Sequence, residues 1–242
     1  MSLSGKIGNL SEGRKKELLS LTALLSLNID DLVLLNSALT HASFVKEKVK
    51  NKHLNNERLE FFGDAVLKLF ISEYLMSKYK NYSEGQLSKL RAHVVSEKVL
   101  VNVANKINLK KYILVGKNEK RTLPVSILAD SMEALLAVIY YQCGTKLIRD
   151  FILKYWKEYI EEADKDVEQG NYKAILQEYL QGNKLGLPIY KTMSESGPDH
   201  DKRFEVAVYL NHHELSRGTG KTKKEASQFA AKNALIILQK KN

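Results

Sequence analysis

The chain has 242 residues, of which 44% are hydrophobic and 27% are charged, and its formal net charge is +10. This composition is ordinary for a soluble globular protein of one or two domains, and the basic excess favours a polyanionic partner such as nucleic acid. The single cysteine, Cys143, excludes an internal disulfide and is expected to be a core thiol rather than a nucleophile. We see no signal peptide and no apolar stretch long enough to cross a bilayer, so we expect a cytoplasmic protein without a membrane role.

Residues 10–160 are predicted to be mostly helical. Apolar residues recur at helical spacing in LKLFISEYLMSKY and SEKVLVNVANKI, and Pro124 is the only proline in this part of the chain. Ser83 stands directly before the helical pattern EGQLSKLRAHVV and suits an N-cap. Breaks between helices are predicted at 80–85, 108–111 and 116–124.

The stretch NERLEFFGDAVLKLF places three carboxylates on one helix face. Glu57, Glu60 and Asp64 stand at positions i, i+3 and i+7, which fall within one narrow arc of a helix. Gly63 lies inside the same predicted helix, where a glycine costs about 1 kcal/mol relative to alanine. That cost indicates a close approach of another helix or of a ligand at Gly63.

A second run, ILADSMEALLAVIYYQ, is apolar apart from Asp130 and Glu133, which also share one helix face. Like charges at these spacings repel, and burial makes each anion costlier. Because hard cations such as Mg²⁺ take oxygen ligands, the two acidic stretches predict a shared metal site of the kind that phosphodiester hydrolysis uses. The alternative is a solvated acidic face, which fits Glu57 better than it fits Asp130 or Glu133.

The character of the sequence changes after residues 157–171, which are predicted to be the end of a helix followed by a linker. Thr222 and Glu225 have the spacing of a capping box at the start of an amphipathic helix over 222–241. The predicted order is α-β-β-β-α, with a helix at 172–183, strands at 188–193, 204–210 and 214–220, a turn at 211–213, and the final helix. In the second strand, one face is predicted to carry Phe204, Val206, Val208 and Leu210, and the other Glu205, Ala207 and Tyr209.

Four segments in the first part of the chain resemble characteristic segments of ribonuclease III nuclease domains. In chain order they are ALTHASF (38–44), NERLEFFGDAVL (56–67), YSEGQLSKLRAHVVS (82–96) and ILADSMEALLAVIY (127–140). The C-terminal part resembles a double-stranded RNA-binding domain. The chain is therefore similar to a bacterial-type ribonuclease III, which implies an all-α nuclease domain over residues 10–163 and a small α+β (αβββα) double-stranded RNA-binding domain over residues 170–240.

The resemblance implies a role for each acidic residue of the two helices. Asp64 and Glu133 would be catalytic, and Glu57 and Glu84 would be accessory acidic residues. The cofactor would be Mg²⁺, for which Mn²⁺ would substitute. The metal-binding carboxylates would be Glu60, Asp64, Asp130 and Glu133.

Three other residues of these segments carry expectations. Phe61 corresponds to an aromatic residue that the family buries at its dimer interface, while the sequence alone leaves open a core phenylalanine within one subunit. Phe62 stands where leucine is commoner in the family, which affects only local packing. His41 is expected to serve as a structural hydrogen-bonding residue rather than as a catalyst.

The second domain is expected to bind both grooves of A-form RNA. The resemblance places its minor-groove contacts on Gln177, Glu178, Gln181 and His200, and its phosphate clamp on Lys221, Lys223 and Lys224. The clamp is also expected from the residues themselves, because a helix N-terminus already favours phosphate. The alternative is a set of lysines on a solvated helix end, which the Gly-x-Gly before them makes less favoured.

The function that the resemblance implies is an Mg²⁺-dependent endoribonuclease that cleaves double-stranded RNA. We expect products with 5′-phosphate, 3′-hydroxyl and short 3′ overhangs, a homodimer through the nuclease domains, and substrates among ribosomal RNA precursors and structured transcripts. One alternative is a non-catalytic double-stranded RNA-binding protein, which would lack one of the four core carboxylates; all four are present. Another is a phosphohydrolase of small substrates, which has no use for the C-terminal domain.

Overall fold

The computed structural model describes residues 10–48, 55–169, 172–198 and 201–239. The chain divides into two compact units, Met1–Ala163 and Asp164–Asn242. The predicted break at 116–124 falls between helices, the break at 80–85 includes the first two residues of a helix, and the break at 108–111 overlaps a short 3₁₀ helix. The elements of the first part are α1 (Glu12–Leu25), α2 (Leu32–Ala38), α3 (Ala42–Lys48), α4 (Glu57–Lys78), α5 (Glu84–Val94), α6 (Glu97–Lys106), a short 3₁₀ helix (Leu109–Tyr112) and α7 (Val125–Gln169).

The first half of α7 is the centre of the helical core. Met132 and the six residues from 134 to 139 are completely buried, as expected for a helix that is apolar on nearly all sides. Trp156, farther along the same helix, is also completely buried, and its Nε1 donates a hydrogen bond to the carbonyl oxygen of Val94 at 3.0 Å. Asp130 and Glu133 are half-buried, so α7 brings two carboxylates to the edge of an apolar core.

Helix α7 is interrupted at Gly144 and longer than its sequence suggests. Gly144 has φ 78° and ψ 178°, a backbone conformation that favours glycine. Cys143, just before it, is half-buried and donates to the carbonyl oxygen of Asn28 at 3.4 Å, so the expectation of a core thiol is wrong. The helix then continues to Gln169. The predicted linker is therefore helical through that residue, because its Lys and Glu residues are good helix formers.

Helix α5 starts at the predicted cap. The hydroxyl of Ser83 accepts from the backbone N–H of Gln86, and the Gln86 side chain accepts from the backbone N–H of Ser83, which is a complete capping box. Arg91 of α5 donates to the hydroxyl of Ser72 on α4 at 3.0 Å. These bonds fix the N-terminus of α5, and with it Glu84, beside α4.

The second unit has the predicted α-β-β-β-α order. Its elements are α8 (Tyr172–Gly182), β1 (Ile189–Ser196), β2 (Arg203–Leu210), β3 (His213–Gly220) and α9 (Lys223–Gln239). The strands form an antiparallel sheet in the order β1-β2-β3. Both helices contribute to a buried cluster with the sheet, whose members include Leu176, Leu180, Val208, Ala230, Ala231 and Ala234.

The predicted alternation of β2 is only partly right. Val206 and Val208 are buried as expected, but Ala207 on the opposite face is completely buried as well. Ala207 lies between Lys191 and Arg217 in the sheet register, and long side chains on both neighbouring strands readily cover a single methyl group. A small residue in a central strand is thus buried whichever face it takes.

Two local predictions in the second unit need correction. The turn between β2 and β3 has only two residues, Asn211 (φ 48°) and His212 (φ 67°), which is the geometry of tight hairpins. At α9, the Thr222 hydroxyl accepts from the backbone N–H of Glu225 at 3.1 Å, but the Glu225 carboxylate accepts from the N–H of Lys221 at 2.7 Å. The reciprocal half of the predicted capping box is therefore shifted by one residue. Within the described ranges, no helix is both long and apolar enough to cross a membrane.

Candidate active site and nucleic-acid interface

Helices α4 and α7 meet backbone to backbone at Gly63. A Cβ added to Gly63 would lie 1.8 Å from the carbonyl oxygen of Glu133 and 2.5 Å from its carbonyl carbon. Beside this contact, Phe62 stacks on Tyr141 with ring centroids 4.8 Å apart and meets Tyr140 edge-on at 5.4 Å. The close approach predicted at Gly63 is confirmed, and it places the acidic faces of the two helices next to each other.

The four core carboxylates form one electrostatic cluster. Burial raises the pKa of Glu133 to about 8, and the negative charges of Asp64, Glu60 and Asp130 contribute to that rise. Burial also raises the pKa of Glu60, again with contributions from Asp130 and Asp64. Because Asp64, Glu60 and Asp130 all act on Glu133, the fold brings together carboxylates that are up to 73 residues apart in the sequence.

Two residues outside the acidic motifs act on Asp130. Burial is the main cause that raises the Asp130 pKa, His41 opposes the rise, and Glu97 in the first turn of α6 adds to it. The Nδ1 of His41 accepts from the backbone N–H of Ser43 at 3.2 Å and lies 2.9 Å from its hydroxyl. His41 therefore has the structural hydrogen bonds expected of it. Sequence analysis missed Glu97, which carries no local signal.

The donor set fits a hard divalent cation. Carboxylate oxygens are the ligands that Mg²⁺ prefers, and this ion needs only a few of them because water and substrate phosphate complete its shell. Among the described residues, no three Asp, Glu, His or Cys side chains form a closed metal-binding group. Asp64 instead pairs with Lys68 at 2.6 Å, a contact that sequence analysis missed although the i, i+4 spacing signals it.

Of the two accessory acids, Glu57 acts on one residue of this cluster and Glu84 has no described contact with it. Glu57 is exposed in the first turn of α4, where its charge contributes to the raised pKa of Glu60. Glu84 is exposed at the start of α5, and its carboxylate accepts from the Ser88 hydroxyl at 2.6 Å. It lines a cavity of about 320 Å³ whose wall also includes Met76. The described contacts do not join Glu84 to the four core carboxylates.

Helix α8 presents polar side chains on its free face. Leu176 and Leu180 are completely buried, whereas Gln177, Glu178 and Gln181 are exposed. The apolar stripe fixes the rotation of the helix, so the two glutamines stand one turn apart on the solvent side. This arrangement offers hydrogen-bonding groups to a groove of RNA. His200, the remaining predicted minor-groove residue, lies outside the described residues.

The three predicted clamp lysines are exposed at the N-terminus of α9. Lys223 approaches the Glu195 carboxylate at 3.8 Å, and Lys221 and Lys224 extend the same basic end. A Cβ on Gly218 would lie 2.1 Å from the backbone nitrogen of Ala230. The preceding Gly-x-Gly is therefore explained by packing of β3 on α9, and it is no independent sign of phosphate binding.

Comparisons with known proteins match both parts of the chain. Residues 31–160 match the family model described as ribonuclease-III-like, and residues 172–238 match that of the double-stranded RNA binding motif. Ribonuclease 3 of Borreliella burgdorferi is 41% identical over 236 residues, which cover 96% of each chain. Ribonuclease 3 of Caldanaerobacter subterraneus is 45% identical over 211 residues, or 86% of this chain and 92% of the relative.

The helical part also resembles a solved structure. The nuclease domain of ribonuclease III from Campylobacter jejuni matches with a TM-score of 0.52 and 40% sequence identity. The match covers 57% of this chain and 94% of that domain. That structure was described for flexibility in a region involved in dimer formation.

Proposed function

The chain belongs to the ribonuclease III family of endoribonucleases acting on double-stranded RNA, and we propose that its reaction depends on Mg²⁺ and leaves 5′-phosphate and 3′-hydroxyl ends. One observation carries this proposal: the crossing of α4 and α7 at Gly63 gathers four carboxylates that repel one another and that a divalent cation would stabilise. Oxygen donors of this kind suit Mg²⁺ and its usual substitute Mn²⁺.

The residues that would hold the metal are Glu60, Asp64, Asp130 and Glu133. When bound, Mg²⁺ supplies a lowered pKa for an attacking water and compensates charge on the leaving 3′ oxygen. The chain itself contributes rigid placement, because the backbone contact at Gly63 fixes Glu133 against the turn that carries Asp64. A raised pKa near 8 keeps a proton on Glu133 in the absence of a cation, and that proton must leave before the carboxylate acts as a ligand.

Both parts of the chain are suited to contact a polyanion. Residues 1–165 carry 26 basic and 19 acidic side chains, and residues 166–242 carry 12 and 9. We propose that positive charge from both parts draws the duplex to the acidic site. The proposed substrates are ribosomal RNA precursors and structured transcripts. Cytoplasmic location also stays a proposal.

The direct test is a cleavage assay on a perfect RNA duplex with and without Mg²⁺. We expect cleavage in Mg²⁺ or Mn²⁺, none in EDTA, and products that a ligase joins only through their 5′-phosphate and 3′-hydroxyl ends. Cutting in EDTA would refute the metal dependence. Binding without cutting at every Mg²⁺ concentration would favour the non-catalytic alternative.

An apolar stripe on α4 supports a homodimer through the nuclease domain. Phe61 is 80% exposed, and Leu69 (59%) and Met76 (68%) are exposed on the same side of the helix. A core role for Phe61 within one subunit is therefore wrong. Large exposed apolar side chains in a row mark an interaction surface. Two subunits joined here would supply two sites, each cutting one strand and leaving short 3′ overhangs.

Replacing Phe61 with serine is expected to weaken self-association. Loss of a buried aromatic side chain from each subunit should raise the dimer dissociation constant by at least about tenfold, because each ring contributes about 2 kcal/mol or more of burial. Sedimentation equilibrium of the full chain measures the constant. Leu24→Ser is the matched control, since Leu24 is 56% exposed but lies on α1. A Phe61→Ser chain that dimerises as tightly as the control would exclude this surface.

Removing two clamp lysines is expected to weaken RNA binding for all sequences alike. RNA affinity falls as the salt concentration rises, and each lysine that neutralises a phosphate contributes about one counter-ion to this dependence. In the double variant Lys223→Ala, Lys224→Ala, the plot of log affinity against log salt should therefore be shallower by roughly two units of slope. Filter binding of a duplex at several salt concentrations measures this slope. Lys191→Ala with Lys232→Ala removes equal charge elsewhere in the domain and should leave the slope nearer its original value. Equal slopes for the two double variants would argue against a clamp at α9.

A further inference from the structure

We infer that Lys68 is a built-in counter-ion of the acidic site, which holds Asp64 in the metal-free protein and must be displaced when Mg²⁺ binds. Lys68 would thereby weaken Mg²⁺ binding and raise the Mg²⁺ concentration at which the site fills. This inference rests on the metal site proposed above. It adds a residue that belongs to none of the acidic motifs and that opposes the cation instead of holding it.

The contact between Lys68 and Asp64 is direct. Lys68 follows Asp64 by one turn of α4, and its Nζ lies 2.6 Å from Oδ2 of Asp64. Half of the Lys68 side chain is exposed and 35% of the Asp64 side chain is. An acid placed four residues before a lysine has the favourable orientation for such a pair, so a positive charge lies against one of the proposed metal ligands.

The surroundings distinguish this pair from an ordinary surface ion pair. An isolated exposed pair contributes little to stability, but Asp64 belongs to a cluster of four acids. The charge of Lys68 also acts on Glu133 of α7, where it opposes the effects of Asp64, Glu60 and Asp130. Lys68 therefore interacts with proposed ligands on both helices. At Asp130, the rise in pKa is opposed by the His41 side chain.

The chemistry of lysine suits a displaceable counter-ion. Its ammonium group is a compact charge on a flexible four-carbon stem, without the bidentate geometry by which arginine locks a carboxylate. The exposed half of the side chain gives it room to turn toward solvent. Mg²⁺ must separate the ammonium from Asp64 and is then repelled by it at short range. Both effects disappear when the charge is removed.

The test is binding of Mg²⁺ alone to the full chain without RNA, measured by titration calorimetry at low salt. Lys68→Gln is expected to lower the dissociation constant by about three- to tenfold, a range set by one charge acting across a few ångströms of partly solvated protein. Lys68→Arg keeps the charge and can lock Asp64 more firmly, so its dissociation constant should be no lower than that of the original protein. Lys157→Gln is the matched control, because Lys157 is an exposed lysine of α7 without an ion pair among the described residues.

The outcomes separate this inference from the proposed function. An unchanged or higher dissociation constant for Lys68→Gln overturns the counter-ion role even if the metal site is real. A Glu133→Gln chain that binds Mg²⁺ as the original does shows that the ion binds elsewhere, and this refutes the site and the inference together. Lys68→Met keeps the apolar stem and gives the same test should the glutamine variant fail to fold. The Mg²⁺ concentration for half-maximal cleavage should fall in parallel with the dissociation constant.

Discussion

Replacing Glu133 with glutamine is expected to reduce cleavage of double-stranded RNA by about 10³-fold or more at saturating Mg²⁺, while RNA binding persists. Glutamine keeps the shape of the side chain at the helix crossing and removes its charge. A correctly held metal stabilises the transition state by several kcal/mol. Each 1.4 kcal/mol that is lost slows the reaction by about tenfold. Single-turnover cleavage and filter binding of the same duplex measure the two properties separately.

The same substitution has a second readout in the metal-free protein. The pKa of Glu133 is raised from an ordinary 4.5 to about 8 in the folded chain. The stabilisation that accompanies the bound proton is complete below pH 4.5 and is lost as the pH rises through about 8. In EDTA, the melting temperature of the original protein should therefore fall as the pH is raised between those two values. The melting temperature of the glutamine variant should fall less over the same pH range, because its side chain has no proton to lose.

Glu57→Gln provides the control for Glu133→Gln. Glu57 is an exposed acid on the same α4 face as Glu60, so its substitution should reduce cleavage by no more than about 10- to 100-fold, as expected for a residue outside the metal shell. Cleavage by Glu133→Gln at the original rate would contradict the metal site. Loss of RNA binding along with cleavage would show instead that the variant is misfolded.

The acidic site could be predicted from sequence because its signals are local. The spacing of Glu60 and Asp64 on one helix and of Asp130 and Glu133 on another identified the faces, and Gly63 indicated the close approach that joins them. The contribution of Glu97 could not be predicted, because it depends on how α6 packs beside α7 and leaves no mark in the nearby sequence. Lys68 had a local signal, but i, i+4 acid–lysine pairs are so common on helices that spacing alone does not mark one as functional.

Tertiary context explains the other differences. Alternation assigned Ala207 to the face opposite the buried valines of β2, yet it is buried as deeply as they are. The Gly-x-Gly before Lys221 suggested phosphate binding, whereas Gly218 allows β3 to approach the backbone of Ala230. For Phe61 the sequence left a core position and an interface position open. Its exposure of 80% excludes the core position, which the sequence could not do because an apolar residue has the same periodic signal on either side of a helix.

Replacing Gly63 with alanine is expected to lower the free energy of unfolding by about 2 kcal/mol or more. The new methyl group would lie 1.8 Å from a backbone carbonyl oxygen of α7, and a backbone cannot move aside as a flexible side chain does. Overpacking in a rigid interior costs about 1–3 kcal/mol and occasionally more. The helix propensity of alanine returns only about 1 kcal/mol. Urea unfolding in EDTA measures the change without any contribution from the metal.

Gly85→Ala separates packing from propensity, because a Cβ there meets nothing within 4 Å. That variant should be as stable as the original or more stable by up to about 1 kcal/mol. If Gly63→Ala folds, α4 and α7 must separate at the point where Glu133 faces Asp64, so its cleavage should fall along with its stability. Equal stability of the two alanine variants would mean that the helices do not touch at Gly63, and the shared acidic pocket would lose its geometric basis.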